Sequence, residues 1–522
     1  MARLLSYKWL ILSLIVAALA GRMLITPQHF YTHDDIQVFR VSEFINCFKT
    51  GQIPCRWSAN LGKGYGYPWF NYYPPMIYVV PSLLATLGLQ VVTSLNLFMF
   101  LTFLLAAWSI YLLVKELTRR EDLSFLASSL YTLYPFHATN VFVRGVYAEN
   151  LAWSIAPLIL LLLYRQTISN KLERILPALF AFIYLTHIIS SFVLTALTFA
   201  WAGLLTLVYQ KPFFKTMIRL LTQVLIGLSL AAFFIVPALA EKNLVQSDSL
   251  TEGYYAHTNH YVSFFQLFKE YKWNYSASLW GEAWDEMPFM VGHVHTILVV
   301  VLVLTLIYFR PRKQAKRLYL ILGLFALFFA LLFMAHFKSD FIWTLIPPLA
   351  YIQFPWRFIV WAALPLVLAL ALSLSLIPKK LSYFITALTS LALLIYSYPF
   401  FFPRGYDLYQ DADYLSGSQL KEQQTKSLYD YLPVTVHTIP DQFASDSSYP
   451  IPIFYFPGWS ANVPIEPDPL TGLIRPVTPT SEPLELSWRE TPLRLSMDLL
   501  SLFSLITYVM YNKLYGKSHQ TK

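Results

Sequence analysis

Two consecutive carboxylates, Asp34 and Asp35, follow the first apolar segment, in the stretch "FYTHDDIQVFRVSEFINCF" (residues 30–48). His33 directly precedes them. A paired acid beside a histidine can act as a general base, hold a divalent cation, or cap the helix that follows. In the capping interpretation Asp34 is the N-cap and Asp35 lies in the first helical turn, where its charge suits the helix dipole. Taken alone, the motif favours capping.

A second group of charges occurs in "FVRGVYAENLAW" (residues 142–153), where Arg144 and Glu149 are predicted to lie in a short turn between two apolar spans. Alone, this pattern is typical of an exposed turn with a charged helix start. Other acids, histidines and aromatics are predicted at the same depth, where belt aromatics and hydrogen-bonded helix histidines are also common. If they surround one outward-facing cavity, they would suit a sugar and a phosphate group. These further candidates are His187, Glu241, Glu282, Asp285, Trp356 and Arg357, with Tyr65, Tyr67 and Trp69 as rings that could stack on sugars.

The composition places these residues in a polytopic membrane protein. Hydrophobic residues make up 56% of the 522 positions and charged residues 13%. Because an open sheet cannot satisfy its backbone in lipid, the apolar runs predict an all-α bundle of about twelve transmembrane helices. The first run is interpreted as a retained signal anchor. The predicted spans are Trp9–Ile25, Leu95–Val114, Leu123–Phe136, Leu151–Tyr164, Ile175–Ile189, Phe192–Tyr209, Leu220–Ala240, Thr296–Phe309, Leu318–Met334, Phe358–Ile377, Leu381–Phe400 and Leu493–Tyr511.

The formal net charge of +9 indicates how the chain is oriented in the membrane and does not indicate nucleic-acid binding. With the N-terminus inside, the basic connections alternate onto the cytoplasmic side, and most acids fall on the other face. We therefore expect a multi-pass plasma-membrane protein with both termini cytoplasmic and an extracytoplasmic active face. The cytoplasmic connections carry Lys115, Arg119, Arg120, Arg165, Lys171, Arg174, Lys211, Lys215, Arg219, Arg310, Arg312, Lys313, Lys316, Arg317, Lys379 and Lys380.

The predicted organisation is a transmembrane domain over residues 1–402, a small external β-rich domain over 403–492, and a final helix with a cytoplasmic tail over 493–522. External loops are expected at 26–75 and 241–290. The first loop contains an amphipathic helix, from the spacing of Val38, Val41, Ile45 and Phe48, that should lie flat on the outer leaflet. Residues 74–89 are apolar but short and interrupted by Pro81, so we expect a membrane-embedded helix that does not cross.

The only two cysteines, Cys47 and Cys55, both lie in the first external loop. An oxidising compartment permits a disulfide between them, which would pin the end of the amphipathic helix to the loop that follows. Phosphate-loop, dinucleotide and zinc-protease signatures are absent from the sequence.

Several motifs carry a resemblance to a known family: "GQIPCRW", "GYGYPWFN", "RGVYAENLA", "FFIVPALAEKNLV" and "IQFPWRF". They resemble the bacterial 6-pyruvoyl-tetrahydropterin synthase-related membrane proteins, which look like relatives of the GT-C superfamily of polyprenyl-phosphate-dependent glycosyltransferases. The soluble zinc-histidine pattern of a pterin synthase is absent. The resemblance implies a catalytic base at Asp34 or Asp35 and a second acid at Glu149. Where the family often has a histidine four residues after its aspartate, this chain has Val38, which leaves Mg²⁺ or Mn²⁺ dependence open.

The resemblance implies an inverting transfer of a sugar from a polyprenyl-phosphate donor to a glycan, lipid or protein acceptor in the envelope. Arg144 or Arg357 would stabilise the leaving phosphate. His33 and the candidates above would contact sugar or acceptor. Two alternatives remain at this point: a transporter or flippase of an envelope lipid or glycan, which usually needs ionisable groups near the middle of the membrane, and a non-catalytic envelope scaffold.

Overall fold

The computed structural model describes residues 7–279, 285–309, 314–426, 430–441, 450–480 and 483–517. The apolar runs of the sequence form helices there, as the bilayer requires of a backbone without other partners. The helices of the first half are α1 (Lys8–Ala20), α2 (Gln37–Lys49), α3 (Trp69–Tyr72), α4 (Met76–Thr86), α5 (Val91–Thr118), α6 (Glu121–Thr132), α7 (Pro135–Ala138), α8 (Tyr147–Ser169), α9 (Leu176–Tyr184), α10 (Ile188–Tyr209), α11 (Phe213–Leu230) and α12 (Ala232–Ala240), with a π-helix at Thr139–Arg144.

The second half continues with α13 (Phe264–Phe268), α14 (His293–Phe309), α15 (Ala315–Ala335), α16 (Asp340–Leu345), α17 (Phe358–Leu374), α18 (Lys379–Ser397), α19 (Asp411–Tyr414), α20 (Gly417–Thr425) and α21 (Pro492–Lys517). Five short strands lie between α20 and α21: β1 (Ile451–Phe454), β2 (Trp459–Ser460), β3 (Ile465–Pro467), β4 (Leu473–Pro476) and β5 (Ser487–Trp488). Short 3₁₀ turns occur at Arg22–Leu24, Lys242–Leu244, Ser247–Leu250, Gly253–Tyr255, His257–Asn259, Phe337–Ser339, Pro347–Ile352, Pro355–Arg357 and Tyr398–Phe400.

The predicted count of twelve full spans is not confirmed. Within the described residues, eight helices are long and apolar enough to cross a membrane: α5, α8, α10, α11, α15, α17, α18 and α21, with α17 and α18 each extended by a 3₁₀ turn. The other predicted spans are shorter or interrupted. The segment Leu220–Ala240 is broken at Ala231 between α11 and α12, and Ile175–Ile189 contains α9, which ends at Tyr184. Hydropathy measures apolar length and does not register such breaks.

Helix α17 is the centre of the bundle. All of its residues are buried, and it packs against α15 and α6. Helix α21 is the opposite case, since only 11% of its apolar window is buried within the protein and it packs against α12 and α11 alone among the larger contacts. Most of the α21 surface is therefore available to lipid.

The basic connections lie at one end of the bundle. At one end Arg165 pairs with Glu116 (Nη2 to Oε2, 3.1 Å), and Lys211 donates to the Ile168 carbonyl (2.9 Å). Helix α8 runs from this basic end to Glu149, which lies in its first turn. At 1.5 Å per residue its length is about 35 Å, enough to cross the hydrocarbon core. The basic connections and the candidate site thus lie at opposite ends of one spanning helix.

Helix α4, inside the segment predicted not to cross, has 11 residues. That length is only about 16 Å, roughly half the hydrocarbon thickness. The amphipathic helix of the first loop is present as α2, but its polar side is buried too. Glu43 accepts hydrogen bonds from Ser58 Oγ (2.6 Å) and from the Asn60 backbone N–H (2.9 Å). Both sides of α2 therefore contact protein.

The C-terminal strands form a three-stranded antiparallel sheet in the order β1-β4-β3 and a β2-β5 pair. This sheet region packs onto the first loop. Phe454 of β1 donates its backbone N–H to the Tyr65 carbonyl (3.0 Å), and the Trp57 and Phe456 rings lie 6.5 Å apart. The predicted Cys47–Cys55 disulfide is present and closes the loop immediately before Trp57.

Candidate active site

Asp34 is positioned by backbone pairing and not by helix capping. The backbone N–H groups of His33 and Asp34 donate to the carbonyls of Val143 and Arg144, each at 3.0 Å. Helix α2 begins at Gln37, its N-cap is Ile36, and no side chain caps it. The capping interpretation of Asp34 and Asp35 is therefore wrong, because the helix starts too late for either carboxylate to reach its free N–H groups.

A glycine makes this pairing fit. Gly145 follows the π-helix with φ +71°, a conformation that side-chain-bearing residues rarely adopt. A Cβ at this position would clash with the Thr32 side chain. The glycine of "VRGVYAEN" therefore allows the Asp34 loop to lie directly on the turn that carries Arg144.

The carboxylate of Asp34 faces one helical side of α2. Gln37 Nε2 donates to it at 2.6 Å, and Arg40 Nη1 lies 3.4 Å away. Burial raises the pKa of Asp34, although Arg40 and Gln37 act in the other direction. Its side chain nevertheless keeps 31% of its surface accessible. Asp34 is thus a carboxylate of raised pKa that a small molecule can still reach, which suits a general base.

Asp35 points elsewhere. It pairs with Lys426, whose Nζ lies 2.8 Å from the Asp35 carboxylate and 2.9 Å from Glu422. The two neighbouring acids therefore differ in their surroundings, and only Asp34 faces the arginines.

Glu149 is closed off between two arginines. Both terminal nitrogens of Arg144 lie 3.2 Å from Glu149 Oε2, and Arg357 Nε lies 3.7 Å from the same oxygen. Asn140 completes the arrangement by donating to Glu149 Oε1 at 3.2 Å and accepting from Arg144 at 2.6 Å. The Glu149 side chain is only 2% exposed. The turn predicted as exposed when considered alone is buried.

Three spanning helices begin at this point. Glu149 lies in the first turn of α8, Arg357 directly precedes α17, and His187 is the N-cap of α10, where its Nδ1 accepts from the Ser190 backbone N–H at 3.2 Å. The charges of Glu149, Arg357 and Arg144 all act on the His187 imidazole. Because a helix N-terminus carries partial positive charge, three such ends together with the arginines favour an anion here.

Aromatic rings support the guanidinium groups. Arg40 lies 3.7 Å above the Trp69 ring, Arg144 lies 4.4 Å from the Trp356 ring, and Arg357 lies 4.8 Å from the Phe354 ring. Cation–π contacts of this kind hold a cation in place without neutralising its charge. We call Asp34, Arg40, Arg144, Glu149 and Arg357 the Asp34 cluster.

Tyr73 shows that the members of this cluster share one space. Its ring stacks on Trp69 at 4.8 Å, and the charges of Asp34, Arg40 and Arg357 all act on its hydroxyl. Burial and Asp34 raise the pKa of Tyr73, which is therefore a neutral hydrogen-bonding group. Tyr255 likewise lies within range of both Asp34 and Arg357. The first loop, the α8 turn and the start of α17 thus meet as the sequence predicts.

The structure separates the other predicted site residues. Tyr67, Trp69, His187 and Trp356 lie with the Asp34 cluster, while His33 contacts the Tyr275 carbonyl at its edge (2.9 Å). Asp285 accepts from Gln266 and from the Leu279 N–H, and burial raises its pKa to about 6. Glu282 lies outside the described residues.

Tyr65 and Glu241 lie away from the Asp34 cluster. The Tyr65 ring packs on Phe454, at 5.2 Å, under the sheet region. Glu241 accepts two bonds from the fully buried Arg494, at 3.0 and 2.9 Å. We call this second group the Arg494 cluster; it comprises Arg56, Glu241, Glu490, Arg494 and Asp498.

Sequence reasoning missed four residues near Asp34: Arg40, Tyr73, Tyr255 and Asp430. Arg40 could have been found, since Gln37 and Arg40 follow Asp34 at intervals of three on one side of α2. Asp430 gave no such signal. It belongs to the C-terminal region, and its charge acts on Tyr73 and Tyr255.

The arrangement offers cationic side chains and not a metal-ligand set. Among the described residues, no group of three or more His, Cys, Asp or Glu side chains is close enough to hold a metal ion. The position where the family often has histidine is Val38, which is 1% exposed. The carboxylates of Asp34 and Glu149 face guanidinium groups, so the residues present do not fit a divalent cation, and no step below depends on one.

Comparison with known proteins identifies the family. The model of the 6-pyruvoyl-tetrahydropterin synthase-related domain, described as a membrane protein, matches residues 70–402, more than half of the chain. The chain belongs to this family. The part that matches the 6-pyruvoyl-tetrahydropterin synthase-related domain contains Arg144, Glu149 and Arg357, while Asp34 and Arg40 precede it. Comparison with curated proteins finds no match.

Proposed function

We propose that this protein is a membrane-embedded glycosyltransferase that moves a sugar from a polyprenyl-phosphate donor to an envelope acceptor on the extracytoplasmic face. The observation that carries the proposal is the accessible carboxylate of Asp34, whose backbone pairs with the turn carrying Arg144, at the point where Glu149 holds Arg144 and Arg357 and three spanning helices begin. This arrangement offers a base and an anion site side by side. Inverting sugar transfer from a phosphate needs both.

In this mechanism Asp34 accepts the proton of an acceptor hydroxyl. The acceptor oxygen forms a bond to the anomeric carbon as the bond from that carbon to the phosphate oxygen breaks, and the electron pair leaves with the phosphate. Arg144 and Arg357 stabilise the charge on that phosphate. Glu149 is enclosed by both guanidiniums, so its role would be to position them, while Asp34 does the proton transfer.

The charge distribution supports the proposed side of the membrane. The basic connections lie at the far end of α8 from Glu149. Since basic loops prefer the cytoplasm, the Asp34 cluster would face outward, where lipid-linked sugars are used. Charges at the helix ends also fit surface chemistry better than passage of a substrate through the bundle.

The experiment compares Asp34→Asn with the neighbouring Asp35→Asn in proteoliposomes supplied with a panel of polyprenyl-phosphate monosaccharides and an envelope extract as acceptor. We expect Asp34→Asn to lower product formation by about 10²–10⁴-fold, the usual contribution of a general base. Asp35→Asn removes a partly exposed ion pair and should change the rate only a few-fold.

The readouts are release of polyprenyl phosphate and the glycosylated product. Full activity of Asp34→Asn would overturn the assignment of the base. Movement of intact lipid-linked sugar across the bilayer, with the sugar–phosphate bond unbroken in the unmodified protein, would instead establish a flippase and overturn the proposed function.

A further inference from the structure

A groove on the lipid-facing side of the molecule lies apart from the Asp34 cluster. It has a volume of about 490 Å³ and is walled by α9, by the junction of α11 and α12, and by α21. Its lining is almost entirely apolar, with Phe182, Leu185, Phe233, Leu502 and Leu505 among its walls. Since α21 is mostly unburied, this groove opens toward the bilayer.

The groove has the length of a single lipid chain. Along α21 it runs from Asp498 to Tyr508, with lining residues at helical spacing on one face. Ten residues of helix span about 15 Å, half of a hydrocarbon core of about 30 Å. Its surroundings in a membrane are hydrocarbon, so the chemistry of the groove selects an acyl or prenyl chain from one leaflet.

A second cavity adjoins the groove. It has a volume of about 330 Å³ and is lined by Thr50, Gly51, Gln52, Trp459, Trp488 and Glu490, together with Ile53. Ile53 lines both cavities. Arg56 also connects the two cavities. It donates to Asp498, in the wall of the groove, at 2.9 Å, and it lies 3.5 Å from Glu490, in the wall of the second cavity.

The second cavity has the chemistry of a sugar site. The Trp459 and Trp488 rings meet edge to face at 5.4 Å, and aromatic faces of this kind pack against the apolar faces of sugar rings. Their buried indole N–H groups have no hydrogen-bond partner in the described part of the chain. Glu490 and Gln52 supply oxygen and amide groups for hydroxyls.

We propose that the two cavities together bind one glycolipid, with its chain in the groove walled by α9, α11, α12 and α21 and its sugar head in the second cavity, against Trp459 and Trp488. The residues lining both cavities are distinct from those of the Asp34 cluster. A phospholipid with the same acyl chains would fill the groove, but its headgroup would not make the sugar contacts that the second cavity offers. The site should therefore discriminate by headgroup.

The test uses the full chain in nanodiscs and native mass spectrometry, with monoglucosyl diacylglycerol and phosphatidylglycerol of identical acyl chains as competing probes. We expect at least a tenfold preference for the glucolipid. Trp488→Leu should abolish the preference, while Trp488→Phe should keep most of it because a ring remains. Ala178→Phe, which fills the groove, should reduce retention of both lipids.

Two control variants address unspecific effects. Trp108→Leu removes a partly exposed tryptophan on α5, and Ala330→Phe enlarges an exposed alanine on α15; neither lines the cavities and neither should change the preference. Equal retention of the two lipids by the unmodified protein would overturn the proposal. So would a preference that survives Trp488→Leu, or retention of the two lipids that Ala178→Phe leaves unchanged.

Discussion

The Asp34 cluster and the Arg494 cluster contain the same residue types, arginines and acids, but differ in how accessible these side chains are. In the Arg494 cluster, Arg494 is fully buried, and its guanidinium donates to Glu241 and to the Pro457 carbonyl. In the Asp34 cluster, the Asp34 carboxylate keeps 31% of its surface accessible beside arginines that lean on aromatic rings. The Arg494–Glu241 pair is closed to ligands and the Asp34 carboxylate is open to them, although the sequence shows only arginines and acids in both clusters.

The clusters also differ in what they join. The Arg494 cluster connects the first loop, the end of α12 and the start of α21, through pairs separated by hundreds of residues, such as Arg56 with Asp498. The Asp34 cluster gathers the starts of α8 and α17 around one loop. The comparison therefore predicts that the Arg494 cluster stabilises the fold, while the Asp34 cluster provides the chemistry.

Glu241→Gln should produce the largest change in stability. Loss of the carboxylate leaves the Arg494 guanidinium buried without its counter-charge, and breaking such a pair costs about 3–5 kcal/mol. The measurement is the thermal unfolding midpoint in detergent, with the exposed Glu252→Gln as the matched control. An unfolding midpoint equal to that of the control would contradict a structural role for the Arg494 cluster.

Arg144→Lys should mainly change activity. Lysine keeps the charge but loses the fork that contacts Glu149 and Asn140, and the loss of one such donor typically lowers kcat by about 10²–10³-fold. We expect sugar transfer to fall in this range while membrane levels and the unfolding midpoint stay close to those of the unmodified protein. If Arg144→Lys instead unfolds as readily as Glu241→Gln, the division between the two clusters is wrong.

We expect the disulfide, like the Arg494 cluster, to contribute to stability and not to activity. Cys47→Ser with Cys55→Ser opens an eight-residue separation next to Arg56, and the loop-entropy model assigns this closure roughly 2–3 kcal/mol. The double variant should therefore unfold at a lower temperature with transfer activity per folded molecule unchanged. Reducing agent applied to the unmodified protein should reproduce the shift, and a drop in specific activity would instead connect the loop to the Asp34 cluster.

The sequence predicted the local secondary-structure elements better than the tertiary contacts between side chains. The spacing of Val38, Val41, Ile45 and Phe48 located α2, and the Arg144–Glu149 turn was predicted to join Asp34 and Arg357, as it does. Glu241 was grouped with them because depth in the membrane can be read from hydropathy. Its partner Arg494 lies 253 positions away, and no local pattern encodes that contact.

The count of twelve spans is not confirmed, for a related reason. Apolar length records the stretch Leu220–Ala240 as one crossing, but the helix breaks at Ala231. The helix break, the π-helix that ends at Arg144 and the late start of α2 depend on tertiary contacts, such as the pairing of Asp34 with the Arg144 carbonyl. The candidate site is formed at such irregular positions.

Of these variants, Asp34→Asn should change stability least. It should raise stability, whereas Glu241→Gln should lower it. Because burial raises the pKa of Asp34 in the folded state, the folded protein binds this proton more tightly than the unfolded chain does, so ionised Asp34 destabilises the fold. That cost is absent below the ordinary Asp pKa, grows between the ordinary and the raised pKa, and is complete above the raised pKa.

At pH 8 we therefore expect Asp34→Asn to raise the unfolding midpoint, and only slightly, because the carboxylate is partly solvated. The gain should disappear at a pH below the ordinary Asp pKa, where both states are protonated. Asp35→Asn, which loses the Lys426 pair, should show no gain at either pH. In a catalytic cluster we expect a carboxylate that lowers stability, whereas in a structural cluster the carboxylate raises it. A loss of stability in Asp34→Asn at pH 8 would therefore indicate that Asp34 has a structural role like that of Glu241.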